Sequence, residues 1–434
     1  MSLKLPLDAS SVRVPLEVHL GLEGRLLGRL VYEKRGAREY SQFAYSEAWL
    51  ADEDYFDVSP DLIPQVGYQL FKPSNPDQST FFLALADTEP DAWGRRVIAR
   101  AHAKARSKNP ELMALHELDY LCAVDDYSRV GALRIQDSSL QYLKTSEPDA
   151  RNTPVLMDLE KILNASRAFE LSTESLQDLQ YLQGKATSLG GMRPKCTLLD
   201  VDGALALGKF PSASDERSVT QGEVLALQLA QEAGIESASA RIEWVAGQAV
   251  AVIRRFDRTK KGSRIPYISG ATLLQAQRGD EHAYTEIVDL MKGKCHAYIQ
   301  QAQQLWRRLV FNHLIANVDD HLQNIGFLYV GKGLWKLAPA FDLNPFPDKE
   351  RESKTWLSED TGPITSTAQL LSQAHRFELT PNEALEVVRQ VLQAVSTWRV
   401  KATTQSIGLK TKELQAFEWA FEARAHQEAR ELVA

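Results

Sequence analysis

The sequence lacks the features that mark several classes of protein. It has only 3 cysteines in 434 residues (Cys122, Cys196 and Cys295), and they are isolated, so neither a disulfide framework nor a cysteine metal site is expected. No stretch approaches the roughly 18 continuous apolar residues that a membrane-spanning helix needs. The amino terminus has no basic region followed by an apolar stretch, as a secretory signal would. These absences predict a protein of the reducing cytoplasm without membrane association.

A strong positive charge is also missing. The formal net charge is −7, which gives no reason to expect direct nucleic-acid binding. Arg254, Arg255 and Arg258 are a local basic cluster, but beside Asp257 they are interpreted as surface and hinge residues. A composition of 44% hydrophobic and 25% charged residues is that of an ordinary globular protein, and the length predicts two or three domains.

The hydrophobic pattern changes along the chain from strand-like to helical. Alternating apolar runs at residues 12–34 predict a strand, a turn and a strand, and a helical pattern follows at 92–123. Strands are next predicted on both sides of a convincing helix that ends near Gly234. From Tyr284 onward the pattern is mostly helical, with an interruption at 317–346. This order predicts an α+β fold with two lobes.

The most informative stretch for function is NVDDHLQN, residues 317–324, which follows an amphipathic helical pattern. Asp319 and Asn324 have the spacing of the catalytic loop of protein kinases, in which the Asp orients the acceptor hydroxyl and the Asn binds magnesium. Asp342, predicted at the end of the apolar strand LWKLAPAFD, is a second candidate ligand, because Mg²⁺ prefers hard oxygen donors. The stretch therefore favours phosphoryl transfer.

Upstream residues occur in the order that a kinase requires. The turn SLGGMRPK, residues 188–195, could bring backbone N–H groups to phosphate oxygens. Lys209, in a predicted strand, could pair with the α- and β-phosphates, and Glu223 in the following helix could hold that lysine by an ion pair. Each feature is common alone, and their serial order is what indicates nucleotide binding.

The segments SLGGMRPK, GKFP, VIRRFDR, NVDDHLQN and LAPAFDLNP together resemble the HipA family of serine/threonine kinases, the toxin half of bacterial toxin–antitoxin pairs. FAYSEAWL, DAWGRR and SRVGAL resemble the first subdomain of that family. The resemblance implies a two-lobed, protein-kinase-like fold with three parts. These are an extra β-rich subdomain at residues 1–150, an ATP-binding N-lobe at 151–257, and a helical C-lobe with the catalytic loop at 258–434.

The resemblance also implies roles for individual residues. Asp319 becomes the catalytic aspartate, and Asn324 and Asp342 become the Mg²⁺ ligands. Lys209 becomes the lysine that binds the phosphates of ATP, and Ser188 becomes an autophosphorylation site, whose added charge would repel the loop from ATP. Gln323 stands where the family often has a basic residue, so one positive charge near the phosphates is missing. The other residues expected to border the nucleotide are Gly190, Gly191, Met192, Arg193, Pro194, Lys195, Arg254, Arg255, Phe256, His321, Leu322 and Phe341.

The same resemblance implies partners. They are a helix-turn-helix antitoxin protein, DNA only indirectly through that protein, and a phosphorylated substrate such as a component of translation. The chain would then act as a growth-inhibiting toxin.

Two other functions remain open. Asp319, Asp320, His321 and Asp342 could form a metal-dependent phosphohydrolase, which would not need Lys209. Alternatively, the chain could be a non-catalytic subunit of a DNA-bound repressor complex. Within the loop, Asp320 is expected to be a solvated or helix-capping carboxylate rather than a metal ligand, and His321 to hydrogen-bond the loop backbone.

Overall fold

The computed structural model describes residues 11–75, 78–143, 153–185, 191–277, 279–347 and 352–434. The chain divides into two compact units. Unit 1 comprises Met1–Leu205, Asp257–Ile268 and Gly331–Gly333, and unit 2 comprises Ala206–Phe256, Ser269–Val330 and Leu334–Ala434. The predicted domain boundaries at residues 150 and 257 stay a prediction.

Unit 1 is built on an antiparallel sheet. Its strands are β1 (Ser11–Leu20), β2 (Arg25–Arg35), β3 (Arg38–Tyr45), β4 (Gln69–Phe71) and β5 (Leu133–Gln136), in the order β4-β3-β2-β1-β5. A further strand is β6 (Lys195–Leu199), and the helices are α1 (Glu47–Leu50), α2 (Leu83–Ala86), α3 (Ala92–Lys108), α4 (Glu117–Ala123), α5 (Leu159–Glu170) and α6 (Leu176–Lys185). The strand, turn and strand predicted at residues 12–34 are confirmed as β1 and β2.

The alternating burial of side chains explains strand β1, and a proline explains the break between helices α3 and α4. Along β1 the side chains of Val12, Val14 and Leu16 are buried while the intervening ones are more exposed, as the period of two in a strand requires. The helical pattern at 92–123 is not one helix but two, α3 and α4. Pro110 lies in the gap, and proline cannot donate the backbone hydrogen bond that a continuing helix needs.

Buried charges hold the turn SRVG of unit 1, residues 128–131. Arg258 donates to the carbonyl oxygens of Gly131 (3.0 Å) and Arg129 (2.8 Å), and the Gly131 N–H donates to Asp257 Oδ2 (2.8 Å). The Arg258 side chain is only 9% exposed. Its interpretation as a surface residue is therefore wrong, because backbone carbonyls satisfy the guanidinium donors inside the unit.

Unit 2 contains antiparallel strands and most of the helices. Its strands are β7 (Leu205–Lys209), β8 (Ala240–Val245) and β9 (Gln248–Arg254), with β9 between β7 and β8. Strand β10 (Tyr267–Ser269) crosses the sequence boundary of the units, and β11 (Gly326–Gly331) and β12 (Leu334–Leu337) follow. The helices are α7 (Val219–Glu232), α8 (Gly270–Leu274), α9 (Tyr284–Lys294), α10 (Tyr298–Leu314), α11 (Thr367–Gln373), α12 (Pro381–Val395), α13 (Trp398–Ala402), α14 (Thr411–Glu422) and α15 (Arg424–Val433).

The predicted helix before Gly234 is confirmed as α7. Gly234 has φ +73°, the left-handed conformation that glycine supplies after a helix end. The mostly helical pattern after Tyr284 is confirmed as well. Among the residues that the structure describes, none of the helices combines the length and the apolar character needed to cross a membrane.

A half-buried histidine in α10, His313, makes the stability of unit 2 dependent on pH. Burial lowers the pKa of His313 to about 4, and its Nε2 atom has no hydrogen-bond partner among the described residues. In the unfolded chain a histidine takes up its proton near pH 6.5. The neutral form is thus favoured by folding. Its contribution is fully present above pH 6.5 and is lost as the pH falls toward 4.

We expect His313 to account for a fall of about 3 kcal/mol in the free energy of unfolding between pH 7 and pH 4. Urea denaturation at a series of pH values measures it. His313→Gln should flatten that part of the profile, whereas His296→Gln, at an exposed position, should leave it unchanged. An identical pH profile for wild type and His313→Gln would contradict the assignment.

Candidate active site

The described part of the predicted phosphate loop lies in unit 1 and is tied to the start of α3. Ser188, Leu189 and Gly190 lie outside the described residues. The Gly191 carbonyl accepts the N–H of Trp93 (3.2 Å), and Lys195 Nζ lies 3.0 Å from Asp91 Oδ2 in an ion pair whose side chains are each 3% exposed. Gly191 has φ +101°, and a Cβ there would lie 2.8 Å from Lys195 Nζ, so the position requires glycine. The charge of Lys195 is thus neutralised by Asp91.

The loop residues between these anchors are open to solvent to different degrees. Met192 is exposed, Arg193 is half-buried and Pro194 is buried. Only the tip of this segment therefore presents side chains outward.

In unit 2, Lys209 is the last residue of β7 and lies opposite Ala251 of β9. Its ammonium donates to Glu223 Oε1 on α7 and to Asp342 Oδ1, both at 2.6 Å. Burial by itself lowers the pKa of Lys209, but the charges of Asp342 and Glu223 outweigh it, so the pKa is raised above its ordinary value. The structure therefore brings together three of the predicted site residues.

The loop that carries Asp319 begins at the end of α10. Asn317 is held by two bonds to Asn312, from its N–H to the carbonyl oxygen (2.8 Å) and from Nδ2 to Oδ1 (3.1 Å). Asn324 closes the loop, because its Nδ2 donates to the carbonyl oxygen of Asp319 (2.8 Å). This bond leaves Asn324 Oδ1 as the amide atom that can bind a cation.

Asp342 follows an extended connection rather than ending a strand. The predicted strand LWKLAPAFD ends as β12 at Leu337, before Pro339, which has no N–H for a ladder. Asp342 itself has φ +55°, a conformation that Asp tolerates better than most residues. Asn344 donates from Nδ2 to Asp342 Oδ1 (3.0 Å) and from its N–H to Asn317 Oδ1 (3.4 Å). The segment of Asp342 thus lies beside the start of the loop that carries Asp319.

Other predicted nucleotide neighbours lie at the end of β9 and after Pro339. The rings of Phe256 and Phe341 pack with their centroids 5.5 Å apart. Arg254 has an exposed side chain, and its N–H donates to the Ser239 carbonyl (2.8 Å). Arg255 is buried. In the loop that carries Asp319, Leu322 is buried and Gln323 is exposed.

Two basic side chains approach the Asp319 carboxylate. Lys354 Nζ makes a short ion pair with Asp319 Oδ1, and His321 Nε2 lies 3.9 Å from the same oxygen. Among the described residues, His321 Nδ1 has no hydrogen-bond partner. The predicted hydrogen bond from the His321 side chain to the loop backbone is therefore not seen, since Nδ1 has no partner and Nε2 faces the Asp319 carboxylate.

Asp320 is buried rather than solvated, so that expectation is wrong. It is 5% exposed, and burial raises its pKa. Its Oδ2 accepts the hydroxyls of Tyr284 (2.8 Å) and Ser353 (2.5 Å), and its Oδ1 accepts the N–H of Lys354 (2.7 Å). Asp320 therefore anchors the segment that carries Lys354.

The oxygen atoms of the site suit magnesium better than a metal held by many protein ligands. Among the described residues no group of three or more His, Cys, Asp or Glu side chains could hold a metal ion. Mg²⁺ is usually bound by one or two side chains and keeps waters and substrate phosphates as its other ligands. Asn324 Oδ1 and the Asp342 carboxylate fit that requirement.

Sequence reasoning missed Tyr284, Ser353, Lys354 and Asn344. Lys354 is the last residue of the mixed-charge run DKERESK, residues 348–354, and no motif spacing relates it to Asp319. Asn344, two positions after Asp342, had a weak signal, because a short amide side chain often bonds the backbone or carboxylate nearby.

Comparisons with known proteins find a similar family and similar proteins. Residues 187–398 match the family of the HipA-like C-terminal domain. The putative kinase Y4mE of Sinorhizobium fredii is 24% identical over 344 residues, which cover 74% of this chain and 75% of the relative. A putative kinase of Haemophilus influenzae is 25% identical over 185 residues, which cover 37% of this chain and 54% of the relative.

Among solved structures, the chain is similar to a chain in the complex of HipA, HipB and operator DNA from the Shewanella oneidensis MR-1 toxin–antitoxin system. The TM-score is 0.63 at 15% identity, and the match covers 96% of this chain and 99% of that one. The α+β fold class predicted from the sequence is therefore confirmed. The match to the HipA-like C-terminal domain covers residues 187–398, just under half of the chain, and confirms the resemblance to the HipA family over that part, while the solved structure shows the shared fold.

Proposed function

We propose that the chain is an ATP- and Mg²⁺-dependent protein serine/threonine kinase of HipA type. One observation carries the proposal: the Lys209 ammonium is held between Glu223 and Asp342, and the segment of Asp342 lies beside the loop of Asp319 and Asn324. A lysine fixed by a helix carboxylate, a metal-binding carboxylate and an Asp–Asn loop are the parts that kinases use for phosphoryl transfer.

Each side chain has a role in this reaction. Lys209 pairs with the phosphates of ATP, and Asn324 and Asp342 would hold Mg²⁺, which would supply neutralising charge. Asp319 orients the acceptor hydroxyl and takes its proton. The hydroxyl oxygen forms a bond to the γ-phosphorus while the bond from that phosphorus to the bridging oxygen breaks, and ADP leaves with the electron pair.

The phosphohydrolase alternative is weaker because it needs Asp320 as a ligand. Both carboxylate oxygens of Asp320 accept hydrogen bonds from neighbouring residues, and the side chain is buried. Moving Asp320 to a metal would leave the buried Tyr284 hydroxyl without that acceptor, which is costly.

The finer parts of the proposal rest on the family resemblance. They are autophosphorylation of Ser188, a growth-inhibiting toxin role in the cytoplasm, a helix-turn-helix antitoxin partner, contact with DNA only through that partner, and a translation component as substrate. The similar Shewanella chain comes from a complex with HipB and operator DNA, which supports the choice of partner.

Peptide mass spectrometry of the purified chain after incubation with Mg²⁺ and ATP tests the proposal. We expect one phosphate on Ser188, which Ser188→Ala removes. Phosphate on another hydroxyl would keep the kinase and exclude the Ser188 site. ATP consumed to inorganic phosphate without phosphoprotein would favour the phosphohydrolase. Bound but unconsumed ATP would favour the non-catalytic subunit.

A further inference from the structure

Lys354 has an unusual position for a residue outside every motif. Its ammonium contacts the Asp319 carboxylate, yet 57% of the Lys354 side chain and 36% of the Asp319 side chain remain exposed. The Lys209 side chain, in contrast, is 9% exposed and lies between two carboxylates. Lys354 is therefore a cation on the solvent-facing side of Asp319, where an acceptor hydroxyl can reach.

The backbone of Lys354 is fixed by contacts that a mobile surface loop would not have. Asp320 Oδ1 accepts the Lys354 N–H (2.7 Å), and Asp320 Oδ2 accepts the Ser353 hydroxyl (2.5 Å). The Thr355 hydroxyl donates to the carbonyl oxygen of Asp320 (2.7 Å), and the Tyr284 hydroxyl, from α9, donates to the same carboxylate (2.8 Å). Three consecutive residues of this segment thus bind the residue next to Asp319.

Lys354 therefore combines a fixed backbone with a flexible side chain. The Asp320 contacts hold the Lys354 backbone at a constant distance from the catalytic loop. The four-carbon side chain lets the Lys354 ammonium move while the Lys354 backbone stays in place. An exposed ion pair contributes little to stability, so the Lys354 ammonium can leave Asp319 at small cost.

We propose, on the basis of the kinase function above, that Lys354 is a catalytic residue that contacts the γ-phosphoryl group while it passes to the acceptor hydroxyl. In transfer, the hydroxyl proton moves to Asp319, the oxygen–phosphorus bond forms, and the bond to the ADP oxygen breaks. Negative charge is spread over the three equatorial oxygens of the phosphoryl group. The Lys354 ammonium turns from the Asp319 carboxylate to those oxygens.

The exposed Gln323 side chain adds no positive charge near the transferred phosphoryl group, so the charge of Lys354 matters more there. Gln323 is neutral and lies next to Asn324 in the catalytic loop. The Lys209 ammonium donates to Asp342 rather than to Asp319. Among the described residues, the Lys354 ammonium contacts Asp319 Oδ1, and His321 Nε2 lies 3.9 Å from the same oxygen.

The test is the rate of autophosphorylation of Lys354→Ala and Lys354→Arg with excess Mg²⁺ and ATP, where kcat is the rate constant at saturating ATP and KM is the ATP concentration that gives half of it. We expect Lys354→Ala to lower kcat for phosphoryl transfer about 100-fold, the loss typical when a transition-state charge contact is removed, with the KM for ATP nearly unchanged. Lys354→Arg keeps the charge and should restore much of kcat. Lys292→Ala, which removes an exposed lysine from α9, is the matched control and should match the wild type.

The outcomes separate this inference from the kinase proposal. If the wild type transfers phosphate and Lys354→Ala has the wild-type kcat, the inference is overturned and the kinase stands. A rise in kcat for Lys354→Ala would also overturn it, because Lys354 would then block Asp319. A fall in kcat that Lys354→Arg does not restore, accompanied by a lower melting temperature, would indicate a structural role instead. If the wild type transfers no phosphate, the kinase proposal itself fails.

Discussion

Asp319→Asn is expected to lower the rate of phosphoryl transfer by about 1000-fold or more while ATP binding changes little. Asparagine has nearly the same size as aspartate, so the loop closed by Asn324 through the Asp319 carbonyl should keep its shape. The amide cannot accept the hydroxyl proton, and a general base contributes about 10²–10⁴-fold to the rate. The Asp319→Asn substitution also removes the negative charge that pairs with Lys354.

The measurement is the initial rate of transfer of labelled phosphate from ATP, together with ATP affinity from a fluorescence titration. Asp360→Asn, at an exposed position, is the control for loss of one carboxylate and should retain the wild-type rate. Full activity of Asp319→Asn would show that another group takes the proton and would remove the basis of the proposed mechanism.

Lys209→Met should have the second large effect, on both ATP affinity and the fold. The ammonium contacts Glu223 and Asp342, whose side chains are 3% and 21% exposed. Its removal leaves carboxylates without this counter-charge, and breaking a buried pair costs about 3–5 kcal/mol. We therefore expect lower stability in urea denaturation, weaker ATP binding and a loss of transfer of at least about 100-fold.

Lys209→Arg separates the two effects. Arginine keeps the charge between the carboxylates, so the free energy of unfolding should recover more than transfer does, because the planar guanidinium cannot replace the ammonium geometrically. Lys336→Ala breaks an exposed pair with Glu236 and should change neither quantity by much. Unchanged phosphate release from ATP in Lys209→Met would favour the phosphohydrolase, which has no use for Lys209.

Local patterns predicted the elements that carry the site but misplaced some of their ends. The helix before Gly234, the strand of Lys209 and the amphipathic helix before Asn317 follow from short-range periodicity. The strand before Asp342 stops at Leu337, and the helical pattern at 92–123 is divided. Proline lies just beyond the end in both cases, at positions 339 and 110, and the lost backbone donor outweighs the apolar pattern.

The sequence by itself determined the order and spacing of Lys209, Asp319, Asn324 and Asp342, since these lie in motifs whose meaning depends on nearby residues. Only the tertiary structure decided which partners those groups meet. The bond from Lys209 to Asp342 spans 133 positions, and the contact of Lys354 with Asp319 spans 35. Such contacts depend on how long loops close and on which charges are buried together, and neither leaves a periodic trace in the sequence.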